Sequence, residues 1–192
     1  MKAGGGTAGN GMGLRPSPEQ VIRRKIRRAA GREEISYFII RLAAMAAMLT
    51  VMFGLLFGIA PVKDNDMFPK LAAGDLILYY RLEREFRAQD VVVFQKDGRR
   101  RVGRVAAAGG DSAEVTGDGR LLINGSAVTE TDIFYSTFPY DGGIAYPVKL
   151  KDHQYFVLCD YRDGARDSRY FGPVDVREIR GKVLAALRRS GL

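Results

Sequence analysis

The feature that most constrains this chain is residues 42–60, an uncharged apolar stretch of nineteen residues. As a helix with a rise of 1.5 Å per residue it is about 28 Å long, close to the ~30 Å hydrocarbon core of a bilayer. A soluble helix of that length normally carries a polar face, and this stretch has none. We therefore predict a transmembrane helix over residues 36–60. A cleaved signal peptide is the alternative, although its apolar region is usually only about 7–15 residues long.

The positive charge of the chain is concentrated before this stretch. The formal net charge is +8, and residues 1–41 contain nine Lys or Arg against three Glu. The rest of the chain contains twenty-one Lys or Arg against nineteen acidic residues. A cationic excess beside a span marks its cytoplasmic side, where anionic lipid is the natural counterion. We expect a single-pass plasma-membrane protein with a basic cytoplasmic tail (1–35), an extracellular domain (61–192), the lipid bilayer as partner and no nucleic-acid binding.

Short apolar runs separated by turn-forming residues follow the span. The runs rich in Val, Ile, Leu, Tyr and Phe are residues 76–80, 91–94, 101–105, 121–123 and 154–158. Such runs between Gly, Asp and Asn are typical of β-strands, and Asn124-Gly125 predicts a tight hairpin turn. Residues 181–189 fit a last strand or a short helix. The pattern predicts one mainly β domain behind one N-terminal transmembrane helix.

The chain has a single cysteine, Cys159, and a single histidine, His153. One thiol excludes an internal disulfide, a cluster of metal-binding thiolates and a Cys-x-x-Cys redox pair. We expect no metal site and no cofactor.

Three stretches of the domain carry a family resemblance. They are DMFPKL at residues 66–71, RVGRVA at 101–106 followed by Gly109-Gly110-Asp111, and DSRYFGPV at 167–174, which Asp160-Tyr161-Arg162 precedes. In order and spacing these resemble the conserved boxes of the type I signal peptidases, over about residues 37–187. Those enzymes are membrane-anchored serine proteases that remove signal peptides with a Ser-Lys dyad. The resemblance implies a signal-peptidase-type β domain.

The chain departs from that family at the positions of its catalytic residues. The resemblance places Asp66 at the nucleophilic serine, Gly103 at the lysine base and Ala165 at a supporting serine, while Cys159 and Tyr161 replace a Gly and an Asn. A Ser-Lys pair needs a hydroxyl and a neutral amine within hydrogen-bond reach. A carboxylate is a weak nucleophile that opposes the developing oxyanion, and a glycine cannot act as a base. We predict that catalysis as a signal peptidase is lost.

Substitute catalytic groups are an open alternative. The candidates are Lys63, Lys70, Ser112, Ser168 and His153. Pro69 disfavours a regular helix that would bring Asp66 and Lys70 onto one face. The histidine has no matching nucleophile in the sequence.

Two further sets of residues follow from the resemblance. The predicted structural network pairs acids with guanidinium groups and consists of Asp160, Arg162, Asp167, Ser168 and Arg169. The predicted groove takes an extended peptide as an added strand and consists of Asp66, Met67, Phe68, Leu76, Ile77, Leu78 and Gly103. Gly103 is expected to leave open the space that a lysine would fill.

The altered catalytic positions resemble those of the signal-peptidase-like proteins of Gram-positive pilus assembly. This resemblance implies a non-catalytic accessory protein or chaperone at the cell surface, with an extended peptide, a pilin or a sortase as its partner. The main alternative is an active signal peptidase I that cleaves signal peptides of secreted pre-proteins. A structural membrane protein with a closed cleft at Asp66 and Gly103 is the third.

Overall fold

The computed structural model describes residues 18–131 and 133–188, with the backbone alone at residues 20, 21 and 23–32. Residues 1–17 of the tail predicted to be cytoplasmic therefore lie outside the described residues, and so does Arg189 at the end of the last predicted element.

The chain divides into two units, of which the first ends at Met48 and the second begins at Leu49. The described part of the first unit, residues 18–48, is helical. Its helix, α1 (Pro18–Val51), continues as a π-helical turn over Met52–Leu56. The segment Glu33–Leu56 is long and apolar enough to cross a membrane, and its apolar window is not buried inside the protein.

The helical segment ends four residues before the end predicted for the transmembrane helix. Phe57–Pro61 is a strand, β1, which pairs antiparallel with β2 (Leu76–Tyr80). Alternate residues of β1, Gly58 and Ala60, are buried, as in a strand that covers a core. A Cβ atom at Gly58 would lie 2.2 Å from Cζ of Tyr79, so only glycine fits there. The prediction was wrong for these four residues because apolar composition does not distinguish the end of a span from a buried strand.

Eleven strands and one short helix follow among the described residues of the second unit. After β1 and β2 come β3 (Val91–Lys96), β4 (Arg99–Ala107), β5 (Ser112–Val115), β6 (Leu121–Ile123), β7 (Ser126–Ala127), β8 (Val148–Lys149), β9 (Gln154–Leu158), α2 (Ser168–Phe171), β10 (Val174–Asp175) and β11 (Ile179–Leu187).

The strands form two antiparallel sheets. The larger has the order β1-β2-β11-β3-β4-β9-β10, and the smaller has the order β7-β6-β5-β8. The prediction of a mainly β domain behind one N-terminal apolar helix is confirmed. Strands β2, β6 and β9 have the bounds read from the sequence, and β3 and β4 are longer. The open alternative at the C-terminal end is settled, because β11 is a strand.

The hairpin predicted at Asn124-Gly125 is also confirmed. These two residues join β6 to β7 with φ angles of 52° and 77°. Two successive positive φ angles are what a two-residue turn between twisted strands requires, and Asn and Gly tolerate them best.

The core consists of three clusters of buried apolar side chains. One contains residues of β1, β2 and β3 together with Met67 and Ala165, and a second contains Phe94, Val105 and Val157. The third joins the two sheets, because Phe156 of β9 packs among residues of β5 and β6. Each fully buried aliphatic or aromatic side chain stabilises the fold by roughly 1.5–3 kcal/mol. The three clusters fix β4 and β9 in the middle of the domain.

Candidate functional site

The loop after β1 carries Asp66, and its backbone is tied to the last motif. The carbonyl oxygen of Asp66 accepts a hydrogen bond of 2.9 Å from the backbone N–H of Tyr161. The side chain of Asp66 is 24% exposed, and Oδ2 lies 3.9 Å from Nη1 of Arg101 in β4. The fold therefore brings together residues from all three motifs at this point, although the ion pair itself is long.

The pKa of Asp66 is raised above its ordinary value. Burial is the largest cause, and the carboxylates of Asp64 and Asp167 act in the same direction, whereas Arg101 opposes them. A raised pKa shows that the local environment disfavours negative charge.

Gly103 lies in the middle of β4 and is buried. A Cβ atom added there would lie 2.6 Å from Cγ1 of Val157 and 3.3 Å from both Cε1 of Phe94 and the carbonyl oxygen of Leu158. The prediction that Gly103 leaves open space was wrong. Core side chains pack to near-crystalline density, and here Val157 and Phe94 have filled the volume next to the glycine.

Ala165 belongs to the same buried cluster as Met67, Val102 and Cys159. The thiol of Cys159 lies 3.7 Å from the carbonyl oxygen of Val102 and is fully buried. Burial, followed by the negative charges of Asp167 and Asp66, raises the pKa of this thiol well above its ordinary value. A thiol that stays protonated is a poor nucleophile, so Cys159 is not suited to nucleophilic catalysis.

Three of the other substitute groups, Ser168, His153 and Ser112, lie on separate elements of the domain. Ser168 is buried, and its Oγ accepts a hydrogen bond of 2.9 Å from the backbone N–H of Val157. His153 is exposed in the turn before β9, and Ser112 begins β5 in the smaller sheet. Lys63 lies closer, in a cleft that Arg101 also lines. The Ser168 hydroxyl is thus bonded to the backbone of β9, and Ser112 lies in a different sheet from Arg101.

The last motif builds a buried ion pair. Asp167 caps the N-terminus of α2, and both its oxygens accept hydrogen bonds of 2.9 Å from the Arg169 guanidinium. Asp167 also accepts a bond of 3.1 Å from the backbone N–H of Cys159. Arg169 donates further to carbonyl oxygens of Phe138 and Arg162. Bidentate, charge-assisted bonds of this kind hold the segment in one geometry.

The other charged residues of the predicted network, Asp160 and Arg162, pair with residues outside the last motif. Asp160 is bound by Arg104, with Nε–Oδ1 and Nη2–Oδ2 distances of 2.8 and 2.5 Å. Arg162 pairs with Glu130 at 2.7 Å and donates to the hydroxyl of Thr137 at 2.6 Å. The acid partner of Arg162 thus comes from a distant loop, which spacing within the motif does not indicate. Arg104, by contrast, follows Gly103 in the second motif and was available as a candidate.

The strand predicted to border the peptide groove has no free edge. Strand β2 is paired with β1 on one side and with β11 on the other along its whole length. Leu76, Ile77 and Leu78 therefore do not offer backbone groups to an added strand, and that part of the groove prediction was wrong. The second edge of β2 is occupied because β11, which is distant in sequence, pairs with it. The residues of β2 themselves do not indicate this pairing.

Strand β4 is paired on one side only at its start. Residues 99–103 pair with β3, whereas pairing with β9 begins only at Arg104. Arg99 and Arg100 are exposed along this unpaired side, whereas Val102 and Gly103 are buried and the thiol of Cys159 donates to the carbonyl oxygen of Val102. Next to this edge is a cleft of about 340 Å³, lined by Lys63, Asp64, Gly98, Arg99, Arg100 and Arg101. The cleft is predominantly cationic and reaches Asp66 through Arg101.

A second cavity, of about 390 Å³, is lined by Asn65, Phe68 and Tyr161. Phe68 is 47% exposed, whereas Met67 beside it is buried. The two predicted groove residues next to Asp66 therefore differ, since Phe68 faces a cavity and Met67 belongs to the core.

The chain matches the family model "Signal peptidase, peptidase S26" over residues 34–187. It belongs to this family. The matched region contains the apolar helix, both sheets and all three motifs.

Individual signal peptidases are similar to the chain at low identity. A signal peptidase I of Leptolyngbya laminosa is 28% identical over 136 residues, which cover 64% of each chain. Signal peptidase I S of Bacillus subtilis is 32% identical over 144 residues, covering 66% of this chain and 76% of the relative. A probable thylakoidal processing peptidase 2 of Arabidopsis thaliana is 28% identical, and the match covers only 41% of its length.

A solved structure of a signal peptidase I from Enterococcus faecalis V583 is similar over 53% of this chain and 97% of its own. The sequence identity is 26% and the TM-score is 0.45.

Proposed function

We propose that this protein is a non-catalytic member of the signal peptidase family, which binds an extended polypeptide at the cell surface as an accessory protein or chaperone of pilus assembly. The observation that carries the proposal is the state of the two positions matched to the dyad. Asp66 has a carboxylate in place of a hydroxyl, and Gly103 is closely packed against Val157.

The chemistry at these positions supports binding without cleavage. The carboxylate of Asp66 is a weak nucleophile, and its charge would oppose an oxyanion forming beside it. A lysine cannot be supplied by a small rearrangement at Gly103, because Val157 occupies the adjoining volume. The buried thiol of Cys159 has a raised pKa and gives no alternative nucleophile.

The polypeptide would pair with the exposed part of the β4 edge, at Arg99 and Arg100. Main-chain hydrogen bonds give such a complex its affinity, and side-chain pockets give it specificity. The adjoining cleft contains Lys63 and three consecutive arginines from residue 99 onwards, against the single carboxylate of Asp64. It therefore suits a partner segment that carries an acidic side chain, such as a segment of a pilin or of a sortase.

A second candidate function is cleavage of signal peptides, which is the activity named for the relatives in Leptolyngbya and Bacillus. The buried Asp167–Arg169 pair favours a domain that keeps the family's geometry. The match covers under two thirds of the lengths of the first two relatives, so their activity is a proposal for this chain.

The proposed topology places residues 1–35 in the cytoplasm and residues 62–192 outside. It rests on the charge asymmetry about the apolar segment. External protease added to intact cells should digest the domain and leave an epitope tag at the N-terminus protected. Digestion of the tag with survival of the domain would reverse the orientation.

Peptide capture tests the proposed binding mode. A photo-crosslinking amino acid at Asp97, in the turn between β3 and β4, should capture a pre-pilin in cells that express the full-length protein. The variant Arg99→Glu/Arg100→Glu should lower capture by about tenfold or more, since like charges then face an acidic segment. The control Arg87→Glu/Arg166→Glu has the same change in charge at exposed sites outside the cleft. Equal capture by both variants would place the partner surface elsewhere.

A further inference from the structure

A separate cationic cavity lies where β2 ends. Its volume is about 490 Å³, and its lining consists of Gly54, Leu55, Tyr79, Arg81, Leu82, Arg84, Arg177, Ile179 and Arg180. Four of the nine lining residues are arginines and none is acidic. It shares no lining residue with the cleft beside Asp66.

Arg81 is the most constrained of the four arginines. Its backbone N–H donates a 2.8 Å hydrogen bond to the carbonyl oxygen of Leu56, the last residue of the apolar segment. Its guanidinium lies 5.6 Å from the ring centroid of Tyr79, within the range of a cation–π contact. The Nε atom is buried and has no hydrogen-bond partner among the described residues. A buried donor without an acceptor is costly, so a ligand that supplies one is favoured there.

The protein satisfies only part of the hydrogen-bonding capacity of the other three arginines. Arg177 pairs with Asp175 at 2.9 Å, and Arg180 donates to the amide oxygen of Gln95 at 2.6 Å. Arg84, Arg177 and Arg180 are exposed. Asp175 neutralises one positive charge, and the cavity remains strongly cationic.

The position of the cavity along the chain sets its depth relative to a bilayer. Gly54 and Leu55 belong to the last turn of the segment that is long and apolar enough to span a membrane. The end of such a segment lies at the boundary between hydrocarbon and headgroups. Leu82, which is 52% exposed, adds a second apolar surface to the same lining. The cavity thus presents arginines at the depth of phosphate groups, next to apolar side chains at the depth of acyl chains.

We propose that this cavity binds the headgroup of an anionic phospholipid. Guanidinium groups bind phosphate oxygens in bidentate geometry, and the acyl chains would lie along Leu55 and Leu82. A bound lipid would fix the domain against the bilayer at the end of its anchor. The proposal requires the apolar segment to be in a membrane and is independent of peptide binding at β4.

The test uses the full-length protein in mild detergent with equal amounts of phosphatidylglycerol and phosphatidylcholine of matched chain length. Native mass spectrometry counts the lipids retained. The pocket variant is Arg84→Gln/Arg180→Gln, which changes two exposed side chains. Its control is Arg87→Gln/Arg166→Gln, which removes the same charge outside the cavity. The basic tail also attracts anionic lipid, and the two variants share that background.

We expect phosphatidylglycerol retention in the pocket variant to fall by about tenfold relative to the control, from the loss of two arginines at the membrane surface. Arg81→Gln should weaken retention in the same direction. An excess of inorganic phosphate should leave the bound lipid in place. Equal retention by the pocket variant and its control would overturn the proposal. Displacement of the lipid by inorganic phosphate would also overturn it and would identify a site for a soluble anion.

Discussion

The two charged regions of the domain differ in how tightly their ions are held. Asp167 and Arg169 are 0% and 1% exposed and meet at 2.9 Å, whereas Asp66 is 24% exposed and lies 3.9 Å from Arg101. In the first region both carboxylate oxygens have guanidinium donors. In the second region, the charge of Asp66 is offset only by its long contact with Arg101. The first region is therefore held in one geometry by its hydrogen bonds, whereas the carboxylate of Asp66 is held only loosely.

The largest effect is expected from breaking the tight pair. Asp167→Ala should destabilise the domain by about 3–5 kcal/mol, because it leaves Arg169 as a buried charge without its partner. Chemical denaturation of the detergent-solubilised protein measures this change. Asp118→Ala is the control, since Asp118 and Arg120 form a pair that is 57% and 65% exposed, and it should shift the midpoint very little. Similar shifts for both variants would remove the contrast between buried and exposed pairs.

An intermediate effect is expected at Gly103. Gly103→Ala should destabilise the domain by about 1–3 kcal/mol, because the new methyl group would lie 2.6 Å from Cγ1 of Val157. Val157→Ala removes that methyl group and creates a cavity of its own. The double variant should be more stable than the sum of the two single changes predicts, with a coupling of at least about 0.5 kcal/mol. Strict additivity in a double-mutant cycle would show that the space beside Gly103 is open.

The smallest effect is expected at Asp66. The pKa of this carboxyl is raised in the folded protein, so the folded state holds the proton more tightly than the unfolded state does. Stability therefore falls as the pH rises from 3.8 through the folded-state pKa, and the ionised carboxylate is unfavourable above that window. Asp66→Asn should raise stability at neutral pH by less than about 1 kcal/mol, because Asp66 is partly exposed.

Comparing Asp66→Asn with the wild type at two pH values checks that the pKa of Asp66 is raised and not lowered. Well below pH 3.8 the carboxyl is protonated in both states, and the advantage of Asp66→Asn should disappear. Unfolding curves at neutral pH and well below pH 3.8 give both values. A variant that is less stable than the wild type at neutral pH would mean that the contact with Arg101 dominates over burial.

Local patterns in the sequence were sufficient for local structure. The β2, β6 and β9 bounds and the Asn124-Gly125 turn follow from residue type and alternation, which depend on neighbours in the chain. The pairing of β2 on both edges and the short strand β1 could not be predicted in this way, because both depend on pairing between segments that are distant in sequence. Apolar content was the same in the span and in β1, so composition placed the boundary four residues too late.

The candidate site was predictable to a similar degree. The motifs identified Asp66, Gly103 and the Asp167–Arg169 pair, and the structure shows how each is surrounded. The Glu130 partner of Arg162 and the packing of Val157 against Gly103 were not predictable, because both depend on tertiary contacts. The cationic cleft was missed for the same reason, since Lys63 and the arginines of β4 meet only in the fold.

The central claim, that the domain binds polypeptide without cutting it, is tested most directly by a turnover measurement. Purified full-length protein is incubated with a pre-protein that carries a signal peptide, and the products are identified by mass spectrometry. An active signal peptidase of the same family, assayed in parallel, shows that the substrate can be cleaved. We expect no cleavage above buffer by the wild type or by Asp66→Ala. Cleavage at the signal-peptide junction by the wild type, lost in Asp66→Ala, would contradict it.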